Sequence, residues 1–240
     1  GRTNCCAKMC VIGVHTDGGM RDLIVVPAHK LHRSATLTLD QLALVETLGI
    51  GAHAVDRAAI EPGEWALVIG AGPIGLATMQ FAQAAGGRVI ALDVNPVRLS
   101  FCREKLHVAE AVFAGEAAAD QIRAITGGDL PTAVFDATGN AASMMGAFHF
   151  AASGARVVYV GLVLSDITFY DPDFHRKEIS LLATRNARAA DFKRIIALME
   201  SGEIETTPWI THRAEACDLP AEFPGWLEPE SGVLKAVVSF

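Results

Sequence analysis

The segment that most constrains the fold is 65–77, with the sequence WALVIGAGPIGLA. It places glycines at positions 70, 72 and 75 inside an otherwise apolar run. Glycine weakens both strands and helices, so bare backbone must be needed at these positions. The apolar residues 66–69 are typical of a buried strand, and Pro73 suits the first position of a helix. The segment therefore predicts a strand, a tight glycine corner and a helix, in that order.

Short apolar strands and helices alternate along the chain after Trp65. Strands are predicted over 66–69, 89–92, 111–114, 132–135, 156–160 and 179–183, and helices over 73–85, 96–105, 117–125, 141–152 and 191–199. This alternation implies parallel pairing with right-handed crossovers. Almost continuously apolar strands suit a sheet that is covered on both faces. We therefore expect an α/β fold with a doubly wound parallel sheet.

The two ends of the chain have different patterns. Segments 9–14 and 20–26 have strand-like sequences joined through the turn TDGG, and the final VLKAVVSF alternates like a strand. A helix is predicted over 39–59, with a break near Gly49 and Gly51. We expect the ends to form one β-rich body with the parallel domain inserted in it. The predicted domains are thus 1–61, 62–200 and 201–240.

Composition excludes several classes of protein. The 240 residues are 51% hydrophobic and 20% charged, which suits a globular chain and not a disordered one. The net charge of −7, without a basic cluster, argues against nucleic-acid binding and a polybasic membrane anchor. Five unevenly spread cysteines do not resemble a disulfide framework, so we expect a reducing, cytoplasmic setting. We expect neither a signal peptide nor a membrane-spanning segment.

The glycine corner has the context of a phosphate-binding loop. GAGPIG follows a predicted strand and opens a predicted helix, where GxGxxG indicates a dinucleotide site. Gly70 would allow the tight turn, Gly72 the approach of a pyrophosphate, and Gly75 close packing of helix on strand. The helix start and its dipole favour an anion. Two alternatives stay open: the glycines serve packing alone, or the loop belongs to a methyltransferase.

An acidic residue follows at a suitable distance. Asp93 lies eighteen residues after Gly75, at the end of the second predicted strand. A carboxylate there accepts hydrogen bonds from the ribose hydroxyls and repels a 2′-phosphate, which favours NAD over NADP. Arg98 could favour the opposite preference, or could lie along the adenine.

The segment VETLGIGAHAVDRAAIEPGEWALVIGAGPIGLATMQFAQAAGGRVIALDVNPVRL resembles the zinc-dependent medium-chain alcohol and polyol dehydrogenases, above all their sorbitol, threonine and galactonate dehydrogenase branch. The similarity continues through VFDATGN, GARVVYVGL, KEISLLATRNA and WITHR to VLKAVVSF, and so covers essentially the whole chain. It implies a Rossmann sheet inserted in a partial GroES-like catalytic domain. It also implies that about the first hundred residues of the family are absent from this sequence.

The resemblance implies two metal ligands. Gly1, Arg2, Asn4 and Cys6 match the family's Gly-Arg-x-Asn-x-Cys context, so Cys6 would be the fourth ligand of a Cys₄ structural zinc site. Glu46 would bind the catalytic zinc directly or through water, although Thr47 follows it where the family usually has Pro. On the residues alone, Cys6 is an ordinary cysteine near a terminus, and Glu46 is an acid that favours a helix N-terminus.

Further cofactor contacts follow from the same resemblance. Arg185 would reach both nicotinamide and substrate, with a surface salt bridge as its alternative role, and Asp136 and Thr138 would line the cofactor groove. The candidates for cofactor binding are Gly70, Gly72, Pro73, Ile74, Gly75, Asp93, Arg98, Val160, Gly161, Leu162, Thr184, Arg185 and Asn186. The catalytic candidates are Glu46 and Arg185, and the metal candidates are Cys6 and Glu46.

The implied activity is transfer of a hydride between a secondary alcohol (a polyol, sugar or sugar acid) and NAD, with zinc in the full-length protein. We expect these 240 residues to bind NAD(H) and to be inactive alone. A homodimer or homotetramer is expected by analogy. Two alternatives remain: a zinc-free quinone or enoyl reductase, and a non-catalytic NAD-binding protein of the same fold.

Overall fold

The computed structural model describes residues 2–228 and 230–240, so Gly1 of the predicted zinc context lies outside the described residues. The chain divides into two compact units. One is Glu46–Ala187, and the other combines Gly1–Val45 with Arg188–Phe240. The division into 1–61, 62–200 and 201–240 remains a prediction.

The unit Glu46–Ala187 contains a six-stranded parallel sheet in the order β3-β2-β1-β4-β5-β6. Its strands are β1 Trp65–Ile69, β2 Arg88–Asp93, β3 Glu110–Phe113, β4 Ala133–Asp136, β5 Arg156–Tyr159 and β6 Ser180–Ala183. The intervening helices are α2 Pro73–Ala84, α3 Pro96–Lys105, α4 Ala118–Thr126, α5 Ala141–Gly146 and α6 Asp171–Arg176. The prediction of a doubly wound parallel sheet is confirmed.

The sheet is stabilised by burial of apolar side chains. Leu67, Ile90 and Val134, from three adjacent strands, are fully buried in a single apolar cluster. In α4, Ile122 is fully buried against the same cluster. Complete burial of one such side chain is worth about 1.5–3 kcal/mol. This buried layer fixes the register of the strands, and thereby the positions of the loops that leave their carboxyl ends.

Helix α1, Leu39–Ala58, continues through both glycines at which a break was predicted. The reason is visible at Gly51, where a Cβ atom would lie 2.6 Å from the backbone of Ala77 in α2. Gly51 therefore permits close helix packing and does not end the helix. The helix predicted over 141–152 also differs, because it ends at Gly146 and continues as a 3₁₀ turn, Ala147–Phe150.

The second unit has two parallel strands, β7 Ile210–Glu215 and β8 Lys235–Ser239, and the helices α7 Ala189–Glu200 and α8 Leu219–Trp226. The prediction of a strand at the chain end is confirmed by β8. The predicted strands over 9–14 and 20–26 are wrong, since only one isolated bridge, Ile12 to Thr16, occurs there among the described residues. Their apolar side chains, such as Val25 at 97% exposure, have no buried face to stabilise a sheet.

A search of the described helices finds none that combines the length and the apolar character needed to cross a membrane.

Candidate functional site

The predicted cofactor residues lie around a switch point of the sheet. From β1 the chain builds outward through β2 and β3, and β4 then pairs with the other side of β1. In open α/β sheets, ligands bind in the crevice at the carboxyl ends of the strands where the order reverses. The loops after β1 and β4 flank that crevice, and the loops after β2, β5 and β6 lie at the same edge because the sheet is parallel.

The glycine corner after β1 is built for close backbone approach. Gly70 has φ +97°, which favours glycine, and its N–H donates to the Leu92 carbonyl at 2.8 Å. A Cβ atom on Gly75 would lie 1.7 Å from the carbonyl oxygen of Gly70. These two glycines are therefore required by turn geometry and by packing of α2 on β1.

Glycine at position 72 is not explained by turn geometry or by helix packing. It is the N-cap of α2 and has no capping side chain, with Pro73 at the first helical position. Among the described residues, a Cβ atom on Gly72 would have one neighbour within 4 Å, the Arg98 guanidinium at 3.9 Å. Packing within the unit does not require glycine here. The bare position leaves the helix start open to an anionic ligand, and Ile74 follows in the first turn of α2.

Asp93 ties two loops together. One carboxylate oxygen accepts the Ala71 N–H at 2.6 Å and the other accepts the Asn95 N–H at 2.7 Å. Asn95 in turn caps α3, where its side chain accepts the Val97 and Arg98 amides. Asp93 is only 7% exposed. The acid predicted to hold the ribose therefore also fixes the glycine corner, through Ala71.

The end of β5 meets the loop that follows β4. The amides of Val160 and Gly161 donate to the backbone carbonyl of Asp136 at 2.9 and 3.0 Å. A Cβ atom on Gly161 would lie 2.5 Å from the Gly139 nitrogen, so glycine is required by close approach of the two loops. Leu162 follows and is largely exposed.

The end of β6 carries the other predicted set. The Thr184 N–H donates to the Tyr159 carbonyl at 3.2 Å, and the buried Thr184 hydroxyl has no hydrogen-bond partner among the described residues. Arg185 is exposed, and Asn186 has φ +50°. Tyr159, on β5, donates its hydroxyl to the Met144 carbonyl at 2.7 Å. Burial, followed by the negative charge of Asp136, raises the pKa of Tyr159 to about 12.

The proposed metal ligands are not part of a metal centre in the described residues. Cys6 is an exposed free thiol in the unit that contains the chain's first segment. Glu46 is exposed and lies two turns into α1, so its interpretation as an acid at the helix N-terminus is wrong. The described residues include no group of three His, Cys, Asp or Glu side chains suited to a metal. By themselves, the described residues therefore supply too few ligands for a zinc ion.

Sequence reasoning missed two parts of this site. The Ala71 amide is an apolar residue's backbone group, and only its distance to Asp93 shows its role. Ser143 lies in α5, and its hydroxyl donates to the Asp136 carboxylate at 2.5 Å. The Asn140 cap before α5 places this helix start beside the end of β4. An N-cap signal was readable at Asn140, but the contact of Ser143 with Asp136 depends on tertiary structure.

Comparison with known proteins decides the family. The family model for zinc-binding dehydrogenases matches residues 73–201, which is more than half of the chain. The chain belongs to the zinc-binding dehydrogenase family. Its relatives include the L-galactonate-5-dehydrogenase of Escherichia coli K12, which is 38% identical over 240 residues, covering 100% of this chain and 71% of that protein.

A second relative, the 2-dehydro-3-deoxy-L-galactonate 5-dehydrogenase of Pseudoalteromonas atlantica, is 30% identical over 93% of this chain and 65% of its own length. Among solved structures, an alcohol dehydrogenase from Escherichia coli CFT073 in complex with NADH has a TM-score of 0.89. It is 26% identical and matches over 99% of this chain and 70% of that protein. This chain thus spans about two thirds of the length of its relatives.

Proposed function

We propose that this chain contains the NAD-binding part of a dehydrogenase that transfers a hydride between a secondary alcohol and NAD. The observation that carries the proposal is the glycine corner at the switch point of the sheet. Its Gly72 is required by no packing contact within the unit, and Asp93 fixes its Ala71. A pyrophosphate at the open helix start accounts for the bare position, because backbone N–H groups and the helix dipole favour an anion there.

Within this proposal, the corner residues Gly70, Gly72, Pro73, Ile74 and Gly75 bind the pyrophosphate. Bound NAD supplies the acceptor for the hydride. The groups that end β5 and β6 orient its nicotinamide half by their position at the same sheet edge. They are Val160, Gly161, Leu162, Thr184, Arg185 and Asn186. The buried Thr184 hydroxyl, unpaired among the described residues, is available to a ligand.

We propose NAD over NADP because Asp93 would place a negative charge against a 2′-phosphate. Both oxygens of Asp93 already accept backbone amides, yet each carboxylate oxygen has a second lone pair for a ribose hydroxyl. Arg98 faces the glycine corner at Gly72, where its charge favours the phosphates of either cofactor. The two cofactors therefore differ chiefly in their interaction with Asp93.

The substrate proposal is a sugar acid or polyol. It is supported by the names of the two relatives, both of which are dehydrogenases of galactonate-type acids. Arg185 is the proposed residue for contact with substrate and nicotinamide, since its exposed cationic side chain at the end of β6 suits a carboxylate. Cys6 and Glu46 remain proposed zinc ligands of the whole protein, and no step is derived through them. We also propose a cytoplasmic setting and a homodimer or homotetramer.

Fluorescence titration with NADH and NADPH tests the proposal. The folded chain should bind NADH more tightly than NADPH, and Asp93→Ser should narrow the difference. S-adenosylmethionine serves as the control ligand and should not compete. Absence of NADH binding in a folded sample would overturn the proposal, and a preference for NADPH would favour a quinone or enoyl reductase. Oxidation of L-galactonate and polyols should be assayed on these 240 residues and on longer polypeptides that contain them.

A further inference from the structure

The carboxyl end of β4 carries a fully buried carboxylate, Asp136, which does not itself line the cofactor groove as the resemblance implied. One oxygen of Asp136 accepts both the N–H and the hydroxyl of Thr138, at 3.0 and 2.6 Å, and the other accepts the Ser143 hydroxyl at 2.5 Å. Its side chain is 0% exposed. The described residues give it no ion-pair partner. A buried charge without a cation requires hydrogen-bond donors, and here all of them come from the loop and helix that follow it.

Those donors determine the shape of the loop Ala137–Asn140. Thr138 is held twice by Asp136, and its own hydroxyl accepts the Asn140 N–H at 3.1 Å. Asn140 then caps α5 by accepting the Ser143 amide at 3.1 Å. These bonds run from the carboxylate through Thr138 to Asn140 and Ser143, and the Ser143 hydroxyl returns to the carboxylate. The loop therefore has few alternative conformations while these bonds persist.

The held loop lies between two parts of the proposed site. On one side, a Cβ atom on Gly70 would lie 3.1 Å from the methyl group of Thr138. On the other, Gly161 approaches the backbone of Gly139. Register pairs Asp136 with Ile69 of β1 and with Tyr159 of β5. Loop 137–140 is therefore one wall of the switch-point crevice, in contact with the residues that precede the pyrophosphate position and follow β5.

We propose that Asp136 is a positioning residue, which holds loop 137–140 as a wall of the cofactor crevice before any ligand binds. The identity of the ligand in this inference rests on the proposed function. The statement that Asp136 fixes the conformation of the loop does not depend on the proposed function. Its expected contribution is preorganisation: a wall that is already fixed loses less conformational entropy when NADH binds.

Three single variants test the role. Thr138→Val keeps the methyl group near Gly70 but removes the hydroxyl, whereas Thr138→Ser keeps the hydroxyl and removes the methyl group. Ser143→Ala removes the donor to the second oxygen and retains a good helix former. Thr138→Val and Ser143→Ala should each weaken NADH binding about threefold to tenfold, since each removes a hydrogen bond to a charged acceptor. Thr138→Ser should bind NADH more tightly than Thr138→Val does, because it keeps the hydroxyl that donates to Asp136.

Glu64→Gln is the matched control. Glu64 lies at the opposite end of the same sheet, beside the start of β1, and accepts hydrogen bonds from Arg156 and Thr132. The substitution Glu64→Gln should lower thermal stability, and at temperatures below the melting temperature it should leave the Kd for NADH unchanged. Equal effects of Glu64→Gln and Ser143→Ala on this Kd would show general destabilisation and overturn the inference.

Hydrogen exchange in the absence of NADH provides the second readout. Peptides that cover 136–143 should exchange faster in Thr138→Val and Ser143→Ala than in the unmodified chain. In Thr138→Ser, which keeps the hydroxyl, the same peptides should be better protected than in Thr138→Val. Unchanged exchange in both variants would overturn the inference even if NADH binds. If the folded chain binds no NADH, the proposed function and the role of the loop toward NADH both fail, and exchange still decides whether Asp136 holds the loop.

Discussion

Gly75→Ala is the sharpest test of the glycine corner. The added methyl carbon would lie 1.7 Å from the Gly70 carbonyl oxygen and 2.8 Å from its carbon. Contacts below 3.0 Å are essentially never made by real Cβ atoms, so the carbonyl would have to retreat by about 1.3 Å. Gly70 cannot retreat freely, because its N–H is bound to Leu92 and its Cα faces Thr138. The clash is with backbone and not with a flexible side chain.

The change in the free energy of unfolding caused by Gly75→Ala follows from two opposing effects. Overpacking a well-packed site costs about 1–3 kcal/mol and occasionally more, and a rigid backbone obstacle belongs at the upper end. Alanine in place of glycine in a helix regains about 1 kcal/mol. We expect a net loss of about 2 kcal/mol, which lowers Tm by roughly 4–8 °C for a chain of this size. The Kd for NADH should rise at least about tenfold, because the displaced Gly70 carbonyl distorts the loop that the dinucleotide must approach.

Two other glycines of this chain serve as controls for differential scanning fluorimetry and NADH titration. Gly146→Ala places its methyl group where no described atom lies within 4 Å, so it should be neutral or slightly stabilising. Gly51→Ala forces a Cβ atom to 2.6 Å from the α2 backbone, and should lower Tm because α1 and α2 can no longer pack as closely. If Gly75→Ala matched Gly146→Ala in both Tm and Kd, the geometric reasoning would be refuted.

Three further outcomes follow from buried polar groups. Asp93→Asn should lower Tm and weaken NADH binding, because one of the two amides of Ala71 and Asn95 then faces an NH₂ group, and an unsatisfied buried donor costs about 1–3 kcal/mol. Burial raises the pKa of Cys102 to about 12, so its thiol should resist alkylation in the native chain and react only after unfolding. Because the pKa values of Cys102 and Tyr159 are raised, the folded chain keeps protons between pH 9 and 12 that the unfolded chain releases. The urea concentration at the unfolding midpoint should therefore fall as the pH rises from 9 to 12. Cys102→Ala should make this midpoint depend less on pH.

The sheet could be predicted because each strand is a short apolar run with an explicit boundary. Gly72 and Pro73 mark the start of α2, and Asn95 and Pro96 mark the start of α3. These signals act within a few residues, so the sequence contains all the information that they need. The predicted and observed bounds of β1, α2 and α3 accordingly agree within a residue or so.

Prediction failed where tertiary contacts override a local signal. Gly51 is a helix breaker by propensity, yet the close approach of α2 requires it inside α1. Segments 9–14 and 20–26 have the alternation of strands, but a strand also needs a partner and a face to bury. Val14 at 74% exposure and Leu23 at 88% lack such a face. Periodicity alone could not reveal that difference.

In the candidate site too, features set by local sequence could be predicted and features set by tertiary contacts could not. The glycine spacing predicted the corner, since turn geometry and helix start are local. The hydrogen bond from Ala71 to Asp93, in contrast, joins residues 22 positions apart. The contact between Asp136 and Ser143 requires α5 to return to the end of β4. The residues proposed to touch a ligand were thus accessible to sequence reasoning, whereas those that hold them in place were not.

The double engagement of Asp93 constrains how cofactor preference can change in the proposed site. Ala71 is fully buried, so its N–H needs an acceptor whether or not a ligand is present. Removing the carboxylate to admit a 2′-phosphate also removes that acceptor and loosens the glycine corner that both cofactors need. A conversion from NAD to NADP therefore requires two changes together: loss of the charge at position 93 and a new acceptor for the Ala71 amide. A serine at position 93 is too short to reach both amides. Asp93→Ser should therefore narrow the preference for NADH over NADPH mainly by weakening the binding of NADH, and less by strengthening the binding of NADPH.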